Sequence, residues 1–402
     1  MSKAAGENQR ICDPISTAEL ERRWKAVRAE MSRTGLDALL IEGANNLVGG
    51  GSYCRWFTGL APSTSYPHTV IFPAQGLMTL ITHGPAGAET ELGGANPSFP
   101  GIGRRMSAPH FPTVGYSGRH EVVAAVRAIR ECGFKTIGLV GANGMYYGFL
   151  AGLRQQLADI EFVDADPIVD PIRAVKSAEE IAFIRQTAAI QDRVLEKIGE
   201  HVKPGMKDFE VLAYAQYVGQ LLGSATGYYL GSSAAPGSPA LIRSRDEQGR
   251  TIQKGDVMYW QAESSGPGGY FVHVGRPFVL GRAPSEVVDG FNAVLEAQRH
   301  TVELLKPGIS GRDVLDKYNA YMRSRGLPEE RRVHCHCQGY TTVERPIASE
   351  SESMAFGPDM NIGIHPSIGT DRMFVTVCDN FLMKHDGTLE RLHQIPQEII
   401  EL

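Results

Sequence analysis

Among the residues able to do chemistry, the run Cys335-His336-Cys337 stands out first, because two thiols and an imidazole in three residues have the composition of a metal clip. On a strand, however, alternate residues point to opposite faces, so Cys335 and Cys337 share one face and His336 takes the other. The spacing therefore predicts two structural thiols and one imidazole working apart from them. Gln261 and Glu263 obey the same rule and share a face if they lie on a strand. The chain carries 12 histidines in 402 residues. A group titrating near pH 6.5 suits proton transfer at neutral pH and, when neutral, metal ligation. Six cysteines are too sparse for a disulfide framework in a chain this long and imply a reducing, cytoplasmic setting.

These groups need a scaffold. Ser16 and Glu19 have capping-box spacing, Leu20, Trp24, Val27 and Met31 follow at helical intervals, and Gly35 sits where a C′ glycine belongs. Apolar runs at residues 36–41, 69–72 and 77–82 predict strands. Gly- and Pro-rich sequence fills 84–103, residues 120–132 are amphipathic with Gly133 after them, and 136–140 is strand-like. Helix alternating with strand predicts an α/β domain over 1–168. The Asp- and Pro-rich stretch 164–171 marks its boundary with a second domain over 169–402. There Ser177 and Glu180 form another capping box, opening a helix that closes near Val202. Lys203-Pro-Gly-Met-Lys-Asp-Phe-Glu-Val-Leu is echoed about a hundred residues on by Lys306-Pro-Gly-Ile-Ser-Gly-Arg-Asp-Val-Leu. Helical stretches flank each copy, which predicts a domain of two similar halves.

The bulk numbers exclude several classes. With 42% hydrophobic and 21% charged residues and a net charge of -5, nothing points to nucleic acid or a membrane surface as partner. No apolar run approaches the roughly 18 residues of a spanning helix. Residues 1–10 are polar and lack the apolar segment of a signal peptide.

Larger motifs then converge on one family. Pro171-Ile-Arg-Ala-Val-Lys-Ser-Ala-Glu-Glu, Gly255-Asp256-Val257, the Gly269-Tyr270 pair and Arg276 occur in the order of its domain entry and first catalytic hairpin. So do His336 with Gly339, Glu344 with Pro346, residues 360–366 and Val377-Cys378-Asp379. In these features the chain resembles the creatinase, aminopeptidase P and prolidase family (M24), the pita-bread enzymes. The N-terminal part is similar in outline through Gly35-Leu36-Asp37-Ala38-Leu39-Leu40. The resemblance implies a creatinase-like α/β N-terminal domain and an α+β pita-bread C-terminal domain with an internal two-fold repeat. It also implies a homodimer in which each N-terminal domain helps close the partner's pocket, which would bring Tyr66 and His68 toward a substrate.

Metal-dependent members of that family hold two divalent ions with two Asp, one His and two Glu. Carried over position by position, these fall on Gln261, His273, His336, His365 and Cys378. Every carboxylate is gone, and a two-metal site needs anionic oxygens to neutralise its ions. Dimetal peptidase chemistry is therefore not expected. Creatinase works without metal, but its carboxylates fall on Gly275 and His365, so creatine is not the expected substrate either.

Three readings stay open. In the first, His273, His336 and His365 hold one divalent transition metal (zinc, iron or manganese), with Cys378 or Gln261 as a fourth ligand. In the second no metal is bound and the histidines act as general acid and base. In the third the scaffold is a non-catalytic ligand-binding or interaction protein. Glu344 lies in a segment that lines the family's pocket and is a further acid/base candidate, while Gln261 and Glu263 beside it are expected to bind substrate. Arg276, which otherwise serves only a salt bridge, and Arg345 would add positive charge. A pocket stripped of carboxylates favours a small anionic substrate. The lead expectation is a hydrolase or lyase acting on a small carboxylated non-peptide metabolite.

Overall fold

The computed structural model describes residues 14–44, 51–60 and 65–402, which separate into two compact units, Pro14–Arg173 and Ala174–Leu402. In the first, Ser16 accepts a hydrogen bond from the Glu19 amide and opens α1 (Thr17–Thr34), and Gly35 closes it at φ 73°, as the capping signals predict. Seven strands make one sheet: β1 (Ala38–Gly43), β2 (His68–Pro73), β3 (Met78–His83), β4 (Glu89–Glu91), β5 (Ile102–Ala108), β6 (Thr136–Val140) and β7 (Glu161–Asp164). Their order is β4-β5-β3-β2-β1-β6-β7. Helices α2 (Gly51–Thr58), α3 (Arg119–Cys132), α4 (Tyr147–Gln156) and α5 (Asp166–Ala174) complete the unit's elements. Leu40, Ile71 and Leu139 of the sheet pack with Ala125 and Ile129 of α3 and Phe149 of α4.

Two stretches marked in the sequence only by their Gly, Pro and Asp content hold regular elements. β4 lies inside the Gly- and Pro-rich segment as an exposed edge strand, carried by charge: Glu89 pairs with Arg104 at 3.1 Å and with Arg127 at 2.5 Å. Such a strand has no apolar alternation to betray it. The Asp- and Pro-rich stretch continues from β7 into α5, because the Asp166 carboxylate accepts from the Gly141 amide at 2.6 Å and Pro167 fits a first helical turn.

The second unit begins with α6 (Ala178–His201), opened by the reciprocal Ser177–Glu180 capping box, then α7 (Asp208–Leu221), β8 (Gly227–Ala234), β9 (Val257–Ser265) and β10 (Phe271–Val279). α8 (Ser285–Leu304), α9 (Gly311–Ser324), β11 (Cys335–Cys337), β12 (Glu344–Ile347) and β13 (Asn361–Ile364) follow. Then come β14 (Ser367–Gly369), β15 (Phe374–Thr376), β16 (Asp379–Met383), β17 (Leu389–Arg391) and β18 (Ile400–Glu401). One sheet runs β18-β10-β9-β8 and another β12-β11-β13-β16-β17. The echoed Lys-Pro-Gly turns are structural equivalents. Gly205 and Gly308 both take φ 93°, a left-handed conformation that suits glycine. Their amides donate to Ile252 at 2.8 Å and Phe356 at 2.9 Å. Each half is thus two helices packed on a sheet.

The halves are joined where the site lies. Gly275 and Cys378 exchange backbone hydrogen bonds at 3.1 and 3.3 Å, laying β10 against the chain entering β16. Every residue of β10 is buried. Val194, Leu195 and Ile198 of α6 cover Trp260, Val274 and Phe278 of the first sheet, each apolar side chain contributing roughly 1.5–3 kcal/mol. No helix among the described residues is long and apolar enough to cross a membrane.

Candidate active site

Strand register dictates which side chains meet. β9 and β10 are antiparallel with Glu263 opposite His273 and Gln261 opposite Gly275, so all four share one face. In the second sheet His336 of β11 lies opposite Gly363 of β13, and His365 follows β13, its amide donating to the His334 carbonyl at 2.8 Å. The imidazoles of His273, His336 and His365 converge from the two sheets. Ring centroids lie 5.3 Å (273–336), 5.1 Å (273–365) and 5.0 Å (336–365) apart, at interplanar angles of 76°, 89° and 62°. One nitrogen from each lies within 4.8 Å of the others.

Their hydrogen bonds define what they offer. His336 Nδ1 lies 3.0 Å from the Cys337 carbonyl. A carbonyl only accepts, so Nδ1 carries the hydrogen and Nε2 keeps its lone pair. His273 Nε2 is buried and has no hydrogen-bond partner among the described residues. Its Nδ1 lies 3.4 Å from Gln338 Nε2 and 3.7 Å from Glu263 Oε1. The two hydrogens of that amide are taken at shorter range, by Thr342 O at 2.8 Å and Glu263 Oε1 at 3.1 Å. Burial, then the nearby His273, holds the His336 imidazole down at about 4. Burial, then His336 and His273, holds His365 well below its ordinary value. Both are neutral at neutral pH, with lone pairs available. Three imidazoles at this spacing fit one divalent transition metal: donors at about 2.1 Å from one ion lie within about 4.2 Å of each other, so small side-chain shifts suffice.

Glu263 is held beside this cluster by two amides, Gln338 at 3.1 Å and Gln261 Nε2 at 3.3 Å, and Gln261 is fixed in turn by the Tyr259 hydroxyl at 3.0 Å. Gln338 Oε1 accepts from Asn380 Nδ2 at 2.9 Å, and Asn380 Oδ1 accepts from the His273 amide at 2.8 Å. Gln338 and Asn380 are positioning residues that the sequence reading missed. The first had a signal, a position two residues beyond His336 that continued extended chain would turn to the same side; the second had none. Exposed Arg332 was also missed, and its charge acts on both His336 and His365.

Other expected site residues are engaged elsewhere. Arg276 adds no charge to the pocket. It is fully buried, bonding Asp379 Oδ1 at 2.6 Å and the carbonyls of Pro396, Gly275 and Cys378 at 2.7, 2.8 and 3.0 Å. Arg345 grips Glu352 at 2.9 and 2.7 Å. Glu344 sits in register with Cys337, on the thiol side, and pairs with buried Lys176 at 3.0 Å. Cys378 is outside the converging donor set, and burial pushes its thiol well above the usual range, away from the thiolate that ligates metals. Tyr66 and His68 belong to the N-terminal unit, where Tyr66 stacks on His83 at 4.0 Å and burial lowers His68 to about 4.

Comparison with known proteins adds independent findings. Residues 182–385 match the profile of Metallopeptidase family M24, and residues 23–175 that of the Creatinase/Prolidase N-terminal domain. The chain is 24% identical to Xaa-Pro dipeptidase of Pyrococcus horikoshii over 67% of its own length and 76% of that protein. It is 26% identical to ectoine hydrolase of Halomonas elongata over 94% of its length and 96% of that protein. Among solved structures, X-Pro aminopeptidase from Thermotoga maritima superposes with TM-score 0.77 at 18% identity, covering 94% of this chain and 99% of that one. Prolidase from Pyrococcus horikoshii gives TM-score 0.74 at 20% identity over 94% and 100%. At these identities the structural likeness speaks to fold, and the pita-bread architecture is the one shared.

Proposed function

We propose that this chain, which belongs to metallopeptidase family M24, hydrolyses a small carboxylated non-peptide metabolite and not Xaa-Pro peptides. The observation that carries the reading is the convergence of three imidazoles, His273, His336 and His365, within 4.8 Å. His273 and His365 stand at positions where the family resemblance expects carboxylates, and His336 where it expects a histidine. The alignment with ectoine hydrolase over 94% of the chain, against 67% for the dipeptidase, supports a non-peptide substrate.

In this reading the three histidines hold one divalent ion, zinc, iron or manganese, which when bound polarises the scissile group and acidifies a water. Burial holds His336 at about 4 and His365 well below its ordinary value, which makes both weak bases at neutral pH, so proton transfer falls to Glu263, aimed by Gln338 and Gln261. Neutral ligands leave the loaded pocket positive, and Arg332 adds to the field that draws a carboxylate. A homodimer in the cytoplasm is part of the proposal.

The test is an assay of untagged, full-length, metal-analysed protein against ectoine, other small carboxylated amides and amidines, and Xaa-Pro dipeptides. Turnover of a non-peptide carboxylate, with negligible Xaa-Pro cleavage, is expected. Comparable dipeptide turnover would overturn the proposal, and tight binding without turnover of anything would replace it with a binding protein.

A further inference from the structure

A second group of donors lies wholly within the N-terminal unit. Glu42 of β1 is the cross-strand neighbour of Thr69 of β2, and α3 presents Glu121 to the same interior. The Thr69 hydroxyl donates to Glu121 Oε1 at 2.5 Å. His110, just after β5, bonds the other Glu121 oxygen through Nδ1. The Tyr146 amide donates to Glu42 Oε2 at 2.9 Å. Glu42, His110 and Glu121 are 0%, 6% and 2% exposed, and one donor atom from each lies within 4.8 Å of the others.

We propose that Glu42, His110 and Glu121 form a divalent-cation site in the core of the N-terminal unit. Two carboxylates withdrawn from water each cost several kcal/mol unless paired. Among the described residues neither pairs with a Lys or Arg, and His110 can offset one charge at most. Glu42 Oε1 has no hydrogen-bond partner at all among those residues. An anionic oxygen there lacks a donor, and a protonated one lacks an acceptor. A cation satisfies it and both other groups together, since ligands at about 2.1 Å from one ion span about 4.2 Å, close to the spacing present. Two carboxylates with one imidazole suit manganese or zinc. His110 and Tyr146 also form part of the wall of a cavity of about 380 Å³, which gives an ion a route in. This inference does not rest on the proposed reaction, and its residues are not those of the histidine pocket.

The test uses the full chain and manganese(II) alone, counting bound ions by electron paramagnetic resonance of the free ion. Glu42→Gln and Glu121→Gln, isosteric and uncharged, are each expected to bind one ion fewer per chain than the parent. Undiminished binding in either folded variant overturns the site. Hydrogen exchange on the unmodified chain needs no variant: added manganese should slow exchange at least tenfold in β1, at the Tyr146 amide and in α3. Unchanged exchange in all three overturns the proposal, whatever happens at His273, His336 and His365.

Discussion

A side chain on Gly363 and the ring of His273 exclude one another: a Cβ at position 363 would lie 2.2 Å from His273 Nε2. Gly363 also stands in register with His336 on one side and Asn380 on the other. The cluster therefore depends on a bare patch of strand as much as on its imidazoles. Gly363→Ala should fold, at a cost of about 1–3 kcal/mol from overpacking. Displacing the ring by about an ångström should lower kcat/KM about a hundredfold and reduce bound metal. Urea unfolding, metal analysis and kinetics check this together. An Ala variant with parental metal content and activity would show that the ring's position does not matter.

Arg276 and Asp379 give a prediction of the opposite kind, in which stability moves without a specific effect on substrate binding. Burial opposes ionisation of Asp379, yet Arg276 beside it holds the carboxyl below its usual range. Arg276→Gln removes the closer of the two cations at that buried carboxylate and leaves Arg391 at 3.5 Å, so the cost is at most the roughly 3–5 kcal/mol of breaking a buried pair. The expected result is a lowered urea midpoint, with KM unchanged in whatever fraction stays folded. A stable variant with a KM raised tenfold would return Arg276 to the substrate.

Helix caps, the Lys-Pro-Gly echo and the apolar strands were legible because local chemistry decides them: Ser16, Ser177, Gly205 and Gly308 do in the structure what their types allow. His273, His336 and His365 were legible as a group only through family resemblance, since they reach one another across two sheets and no spacing rule spans the 92-residue separation from 273 to 365. The roles of Arg276, Arg345 and Glu344 depended on partners distant in sequence, Asp379, Glu352 and Lys176, and charge alone could not choose between substrate and salt bridge. Asn380 and the Glu42 cluster illustrate the same limit. Each gains its meaning from a neighbour on another element.

His334 provides a pH test. Its ring is buried and stacked on Tyr318 at 3.6 Å, and neither nitrogen has a partner among the described residues. Burial, then His336 and His300, lowers it from 6.5 to about 3. Above pH 6.5 the ring is neutral in both folded and unfolded chains. Below that, the unfolded chain takes up a proton that the folded one refuses, so stability falls by about 1.4 kcal/mol per pH unit until the folded ring itself titrates. His334→Phe keeps the stacking shape and removes the proton. Relative to the parent it should gain about 2 kcal/mol between pH 6.5 and 5 in thermal or urea unfolding. Parallel stability curves for the two proteins across that range would refute the burial argument.

Glu263 separates proton chemistry from metal binding. It lies 3.7 Å from His273 Nδ1 and is held at 3.1 Å by Gln338, so it is close to the cluster without belonging to the converging donors. Glu263→Gln preserves shape and the capacity for amide contacts but removes the base. If Glu263 moves the proton, kcat should fall by about 10²–10⁴, while metal content and KM stay near parental values. His365→Ala should behave differently, because losing one of three imidazoles leaves too few ligands to hold an ion; bound metal and activity should then vanish together. Metal analysis alongside kcat and KM on both variants distinguishes the two roles. Parental kcat in Glu263→Gln would remove it from the mechanism, and full activity in protein shown to be metal-free would transfer the chemistry to the histidines themselves.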